Sequence, residues 1–355
     1  MIQVLAPLPG ASFKLGASTG LGFDISQSGL PGPAQKLFST MGLPVTSKPR
    51  SSRPSRRNVA AAPGAAHACA GAIKHVLACV DGTDNDRAVL EHALQVAQRF
   101  VSHVDVLHVR FDAQGASLGP QHVRRADPLL GAAAESAAAE AATRARQNFE
   151  EWQGQSGLPL RDSGTAVCRP SVLWREIVGY ESDVIARIGR VSDLIVVARP
   201  DERSPSFSIM ALETALFETG RPVLMVPGST AANLFHRPLI AWNGSCEAAR
   251  AIGFALPFLA ELDGCVEVFT APEAKHQAEA QELIRHLSWH GIVAERVSAD
   301  AAREVGASLL AHGQVSRAGL IVMGAYTHGH YRQFLFGGVT RHVMQHAATA
   351  VLLAH

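Results

Sequence analysis

Short apolar runs alternate along this chain with segments of helical periodicity, and the runs come twice in the same order. Val76-Leu77-Ala78-Cys79-Val80 ends in Asp81-Gly82-Thr83, and Leu239-Ile240-Ala241-Trp242 ends in Asn243-Gly244-Ser245. Val104-Asp105-Val106-Leu107 returns as Val266-Glu267-Val268-Phe269. Leu194-Ile195-Val196-Val197 returns as Leu320-Ile321-Val322-Met323, and Pro222-Val223-Leu224-Met225 as Ala350-Val351-Leu352-Leu353. An internal repeat of this kind decides the architecture before any single residue is weighed.

The pattern predicts strands in the first unit near 74–80, 103–109, 160–168, 193–198 and 222–226. Helices are expected from Asp84 to about Phe100, over 131–152, 173–190 and 207–218. In the second unit strands are expected near 238–242, 265–270, 292–298, 319–323 and 349–353, with helices near 246–261, 274–290, 302–316 and 337–346. Pro227-Gly228-Ser229-Thr230 reads as the linker. Apolar strands alternating with amphipathic helices imply right-handed crossovers and parallel sheets covered on both faces. Such sheets bind ligands beyond the carboxyl ends of their strands, so useful residues should follow the first and fourth strand of each unit.

Composition adds limits. A chain of 355 residues suits two modest domains with an extra segment. Residues 1–70 are rich in Ser, Pro, Gly and Arg and show no periodicity. They read as a disordered basic tail, with an organelle transit peptide and a basic binding arm as alternatives. The net charge of +1 argues against nucleic acid as a partner. No apolar stretch is long enough to span a membrane. Five cysteines without paired spacing suggest a reducing compartment, so a cytoplasmic protein is expected.

Candidate chemistry gathers after the fourth strand of the second unit. Gly324 permits a sharp exit from the strand, and Gly337-Gly338 opens the last helix, whose free N–H groups and dipole suit an anion. Thr340 can add a hydroxyl donor. A long loop closed by glycines for geometry alone is the competing reading. Gly115-Ala116-Ser117-Leu118-Gly119 fits a nucleophile-elbow pattern but lies beyond its strand and precedes Pro120, so no catalytic serine is assigned. His342 and His346 share a helix face without a carboxylate or cysteine at ligand spacing, so no metal is assigned. No Walker-type loop exists.

Asp81-Gly82-Thr83, Asn243-Gly244-Ser245, Leu320-Ile321-Val322-Met323-Gly324 and Gly337-Gly338-Val339-Thr340 together resemble the universal stress protein family, in its tandem two-domain form. The resemblance implies two doubly wound α/β domains, each with a five-stranded parallel sheet of Rossmann-like type, over 73–228 and 236–355. Members that bind ATP resemble one another in a loop of glycine, two residues, glycine, nine residues, glycine, then serine or threonine. Carried over, the first glycine is Gly324 and the third Gly337, while the second falls on Thr327, the terminal hydroxyl on Gly338 and the strand-end acid on Asn243. The first unit keeps the acid, Asp81, but has no glycine between Gly189 and Gly220. Acids Asp201 and Glu202 stand in its loop, with Arg199 and Arg203 as partial compensation.

The resemblance thus implies a stress-response protein that binds and associates rather than turns over substrate. Its ligand would be an adenine nucleotide, ATP (with Mg²⁺) or AMP, in the second unit. Asn243 and Gly244 would lie near the adenosine, and Gly324, Thr327, Gly337, Gly338, Val339 and Thr340 near the phosphates. Protein partners, pairing of the two domains within the chain and a homodimer are expected. A nucleotide-independent interaction module and a weak ATP hydrolase are the alternatives.

Overall fold

The computed structural model describes residues 73–110, 128–162, 168–200, 205–229, 233–260, 262, 264–300, 302–325 and 338–355. The N-terminal segment 1–70, the Gly115–Gly119 pattern, Thr327 and Gly337 lie outside the described residues. The first half runs β1 (His75–Val80), α1 (Asp86–Phe100), β2 (His103–Arg110), α2 (Pro128–Ser156), β3 (Ser171–Val178), α3 (Glu181–Gly189), β4 (Leu194–Ala198), α4 (Pro205–Glu218) and β5 (Val223–Val226). The second half runs β6 (Leu239–Ala241), α5 (Cys246–Leu259), β7 (Val266–Thr270), α6 (Ala274–Trp289), β8 (Ala294–Ser298), α7 (Val305–Val315), β9 (Leu320–Gly324), α8 (Gly338–His346) and β10 (Ala350–Ala354).

All ten strands form one sheet in the order β3-β2-β1-β4-β5-β10-β9-β6-β7-β8. Each half is parallel throughout, and the halves meet where β5 and β10 pair antiparallel, Leu224 opposite Leu352. Every residue of both strands is buried. That is why they read as unbroken apolar runs rather than alternating ones: both faces are covered. Left unpaired, either strand would expose a row of backbone donors and acceptors beside apolar side chains.

Two cores follow, one on each face of the sheet, and both halves share each of them. On one face lie α1, α2, α5 and α6, contributing Leu90, Phe149, Phe258 and Leu287. On the other lie α3, α4, α7 and α8, contributing Ile185, Leu212, Leu309 and Val343. The linker is pinned rather than loose. Leu234 is fully buried, and its N–H donates to Gln95 of α1 at 2.8 Å. Phe235 meets Phe100 of the first half and Phe258 of the second, each at a ring separation of 5.9 Å.

One expected pair of elements differs. The third strand lies at Ser171–Val178 rather than 160–168, and the helix expected over 173–190 is only α3. Leu160 makes a single bridge to Val172. Eight residues of β3 pair with β2, from His103 opposite Ser171 to Arg110 opposite Val178. Ser171–Val178 carries apolar residues at spacings that fit a helix or a strand, and this long-range pairing decides between them. Gly179 then ends the strand.

The repeat also extends to a polar feature inside the sheet. Asp105 of β2, 5% exposed, binds His75 and His103 at 3.2 Å and Arg175 at 2.7 Å. Its counterpart Glu267 on β7, also 5% exposed, binds His312 at 2.9 Å and Arg237 at 3.2 Å. Burial alone would raise the Asp105 carboxyl, but hydrogen bonds from His103, His75 and Arg175 outweigh it and hold it well below the usual range. Removing the acid takes the shared buried acceptor away from Arg175, His75 and His103. Asp105→Ala is therefore expected to lower the unfolding free energy by about 3 kcal/mol at pH 7 in urea denaturation, whereas Leu160→Ser, at a residue 63% exposed, should change it by less than about 0.5 kcal/mol.

Candidate functional site

β1 lies beside β4 and β6 beside β9, so each half opens two neighbouring strand ends on its carboxyl side. The first strand leaves the sheet through the same turn in both halves. Asp81 Oδ1 accepts from the Thr83 N–H at 3.1 Å, and Asn243 Oδ1 accepts from the Ser245 N–H at 3.1 Å. Between them Gly82 and Gly244 stand at φ +82° and +73°, where a side chain is strained. The turn needs only a side-chain oxygen, which explains how aspartate and asparagine serve alike. What lies over the turn differs. A Cβ on Gly82 would sit 2.3 Å from the Ala141 carbonyl oxygen of α2, and one on Gly244 would sit 2.7 Å from Oε2 of Glu279 on α6.

In the first half the strand ends enclose a cavity of about 20 Å³, lined by Asp81, Asp86, Glu181, Val197, Ala198 and Ala211 among others. That is room for about one water, not for a nucleoside. Asp86, in the first turn of α1, turns its carboxylate back onto the strand exit. It accepts from the Asp81 N–H at 2.9 Å, the Gly82 N–H at 3.1 Å and the Asn148 amide at 3.0 Å. The chain's own carboxylate thereby takes backbone donors that an external anion would need. Burial first, then the nearby Asp81 carboxylate, pushes Asp86 up to about 7 and Glu181 up to about 8. Three acids packed this closely disfavour a phosphate.

The fourth-strand exit is also closed to a phosphate in this half. β5 and β10 hold Leu224 and Leu352 in equivalent register positions against Val196 and Val322. Counting back from them pairs the buried Leu212, Ala215, Leu216 and Thr219 with the buried Thr340, Val343, Met344 and Ala347. Met210 then stands where the second half has Gly338, and Ile209 where it has Gly337. Met210 lies inside α4, already helical from Pro205, so its N–H is spent within the helix. Arg199, expected to offset the loop acids, instead donates from Nη1 to the Gln345 carbonyl at the end of α8. There it caps a helix C-terminus and ties the halves together.

The second half departs from expectation at Gly324. This residue does not turn the chain out of the sheet: it is the last residue of β9, paired with Ala354, and Ala325 still donates to the Ala354 carbonyl. Glycine is needed there because α5 comes so close. A Cβ would lie 2.4 Å from the Ala248 nitrogen and 2.6 Å from the Glu247 carbonyl carbon. Asn243 and Gly244 are exposed at the adjoining exit, and Ser245 caps α5 by accepting from the Ala248 N–H at 3.1 Å. Val339 packs on the same apolar face as Ala241 and Met323, which sets the first described turn of α8 over these strand ends. Thr340 is 5% exposed, whereas Gly338 is exposed and has no described residue within 4 Å of its Cβ position. The sequence expectation had not included Asp86, Glu181, Glu247 or Glu279. Among the described residues no cluster of three potential ligands could hold a metal.

Residues 72–158 match the model of the universal stress protein family. Among solved structures, a universal stress protein from Archaeoglobus fulgidus is 18% identical, with 79% of this chain and 97% of that one covered at a TM-score of 0.57. A functionally unknown protein from Pseudomonas aeruginosa is 15% identical, with 80% and 93% covered at a TM-score of 0.47. A universal stress protein from Lactobacillus plantarum is 18% identical and covers 43% of this chain and 97% of its own length, at a TM-score of 0.30. No curated protein matches. The resemblance to universal stress proteins and the mostly parallel α/β fold expected from the sequence are thereby borne out.

The acid cluster gives a pH test. Asp86 and Glu181 hold protons more tightly folded than unfolded. Their stabilisation is therefore full below about pH 4 and lost as pH rises through 7 to 8. Glu181→Gln should gain on the wild type by about 2–4 kcal/mol between pH 4 and pH 9 in urea unfolding. A constant difference across that range would show that folding does not raise the Glu181 pKa.

Proposed function

We propose that this is a cytoplasmic stress-response protein of the universal stress protein type, built of two domains over 73–228 and 236–355. It acts by binding and association rather than turnover. The second half takes one adenine nucleotide, ATP with Mg²⁺ or AMP, and the first half serves as its structural partner. The observation that carries this reading is the contrast at equivalent positions of α4 and α8. Gly338 is exposed, and no described residue lies within 4 Å of its Cβ position, while Met210 is a helix-interior residue followed by Ala211, which lines the small cavity bordered by acids.

In this reading Asn243 and Gly244 border the adenosine, and Gly338 borders the phosphates together with Thr327 and Gly337. Gly324, Val339 and Thr340 support the site from beneath, through the close approach of α5 and the packing of α8. A nucleotide-independent interaction module is the second reading. It is favoured by the exposed apolar residues Ile209, Met210 and Phe217 on α4, which are 41%, 47% and 40% exposed. No helix among the described residues is long and apolar enough to cross a membrane.

Titration calorimetry of the full chain with Mg-ATP and AMP tests the proposal. One site of micromolar affinity is expected, weakened at least about tenfold by Gly338→Trp. No described residue lies within 4 Å of the Gly338 Cβ position, so folding should be kept. Two sites per chain would contradict the structural role given to the first half. Absence of heat, with no nucleotide carried through purification, would leave the interaction module.

A further inference from the structure

At both ends of the first half's sheet, the geometry calls for bound protons. At the amino end, His75 of β1 stands between two acceptors. Its Nε2 lies 3.2 Å from Asp105 Oδ2, and its Nδ1 lies 3.4 Å from the Val191 carbonyl oxygen just beyond α3. A neutral imidazole carries one N–H and can meet only one of them, whereas the imidazolium meets both. The charged groups around it are Asp105 and His103 from β2, Arg175 from β3 and Asp193 from the turn into β4. On that face α3 packs through the apolar Ile185 and Ile188. A neutral His103 ring meets both of its partners, donating from Nε2 to Asp105 and accepting at Nδ1 from the Ser171 hydroxyl.

At the carboxyl end, Asp81, Asp86 and Glu181 share one small cavity, which β4 and α4 line with Val197, Ala198 and Ala211. Glu181 Oε2 is buried without a hydrogen-bond partner among the described residues. An ionised oxygen there would stand uncompensated. From α2, the Asn148 amide donates to Asp86, while Arg144 turns its Nε to the Gly82 carbonyl at 3.1 Å.

The repeat replaces these groups in the second half. Asp81 answers to Asn243, and counting on from the exit turns pairs Asp86 with Ala248 and Asp105 with Glu267. Counting back pairs His75 with Arg237. Arg237 holds Glu267 at 3.2 Å with a charge that does not titrate. His312 of α7 bonds Glu267 through Nε2 at 2.9 Å, which a neutral ring supplies. We infer that the first half is the proton-responsive half of the molecule: it folds with protons held by His75 and by the acids of the β1 exit, and rising pH loosens the whole ten-stranded body through that half. The hydrogen bond with Asp105 outweighs burial and raises His75 above its ordinary 6.5, and burial raises Asp86 and Glu181. Each group therefore binds its proton more tightly folded than unfolded. For His75 the stabilisation is full below about pH 6.5 and lost as pH rises through the folded value, in the same direction as for the two acids.

The test is urea unfolding of the full chain between about pH 7 and 8.5, for wild type, the double variant His75→Arg/Glu181→Gln, and His312→Gln. The slope of unfolding free energy against pH counts the protons released on unfolding. Wild type should release about one to two, so that its folding constant falls at least about tenfold per pH unit. The double variant should lose most of that slope, and His312→Gln should keep it. A wild-type slope near zero, or a stability that rises with pH, overturns the inference. A slope that survives in the double variant, or disappears in His312→Gln, overturns it as well. Should the double variant fail to fold, the His75 ring gives a reading on wild type alone. Its NMR titration midpoint is expected above 6.5, and a midpoint at or below that value overturns the inference.

Discussion

The antiparallel seam between β5 and β10 is the contact on which the rest of the molecule depends. Each half is a five-stranded parallel sheet whose last strand is apolar on both faces. Neither strand can end a sheet in water, because its open edge would leave backbone donors and acceptors unpaired. Joining them antiparallel closes both edges together and makes the two halves one ten-stranded body. The aromatic contact of Phe100, Phe235 and Phe258 and the Arg199 bond to α8 then fasten the helical layers across the seam.

Within that body the repeat preserves framework and varies chemistry. The strand-exit turn of Asp81-Gly82-Thr83 recurs at Asn243-Gly244-Ser245 with the same side-chain oxygen accepting from the N–H two residues on, and a buried acid with histidine and arginine partners recurs on β2 and β7. What changes is the ground above the turns. Asp86 and Glu181 fill the first half's opening with carboxylates, and Met210 removes the glycine from its fourth-strand helix. The second half keeps Gly338 and places Glu279 over the exit. A duplicated fold can thus keep one half for packing while the other keeps its opening, since the seam demands only the strands.

Much of this was legible in the sequence. Eight of the ten strands follow from apolar runs because burial on both faces writes them as such, and β8, a largely exposed edge strand, falls where one was expected all the same. β3 escaped because its apolar residues are spaced to fit a helix as well as a strand, and only its pairing with β2 decides between them. The strand-end turns were legible, being local. Gly324 was singled out for the wrong reason: its need is set by the backbone of Glu247 and Ala248, more than seventy positions earlier, and sequence periodicity carries no such contact. Asp86, Glu181 and Glu279 were missed for the same cause. Each sits on a helix where an acid is unremarkable, and only the fold brings it to a strand exit. Asp105 and Glu267 did leave a trace, as charged residues inside apolar runs at matching places in the repeat.

Native-state hydrogen exchange on the full chain tests the seam most directly. If the two halves are one cooperative body, the amides of Val223–Met225 and Val351–Leu353 belong to the slowest-exchanging set, share one opening free energy and lose protection together as urea is added. Opening of one half at a lower free energy, with its seam strand exposed while the other half stays protected, would contradict the account.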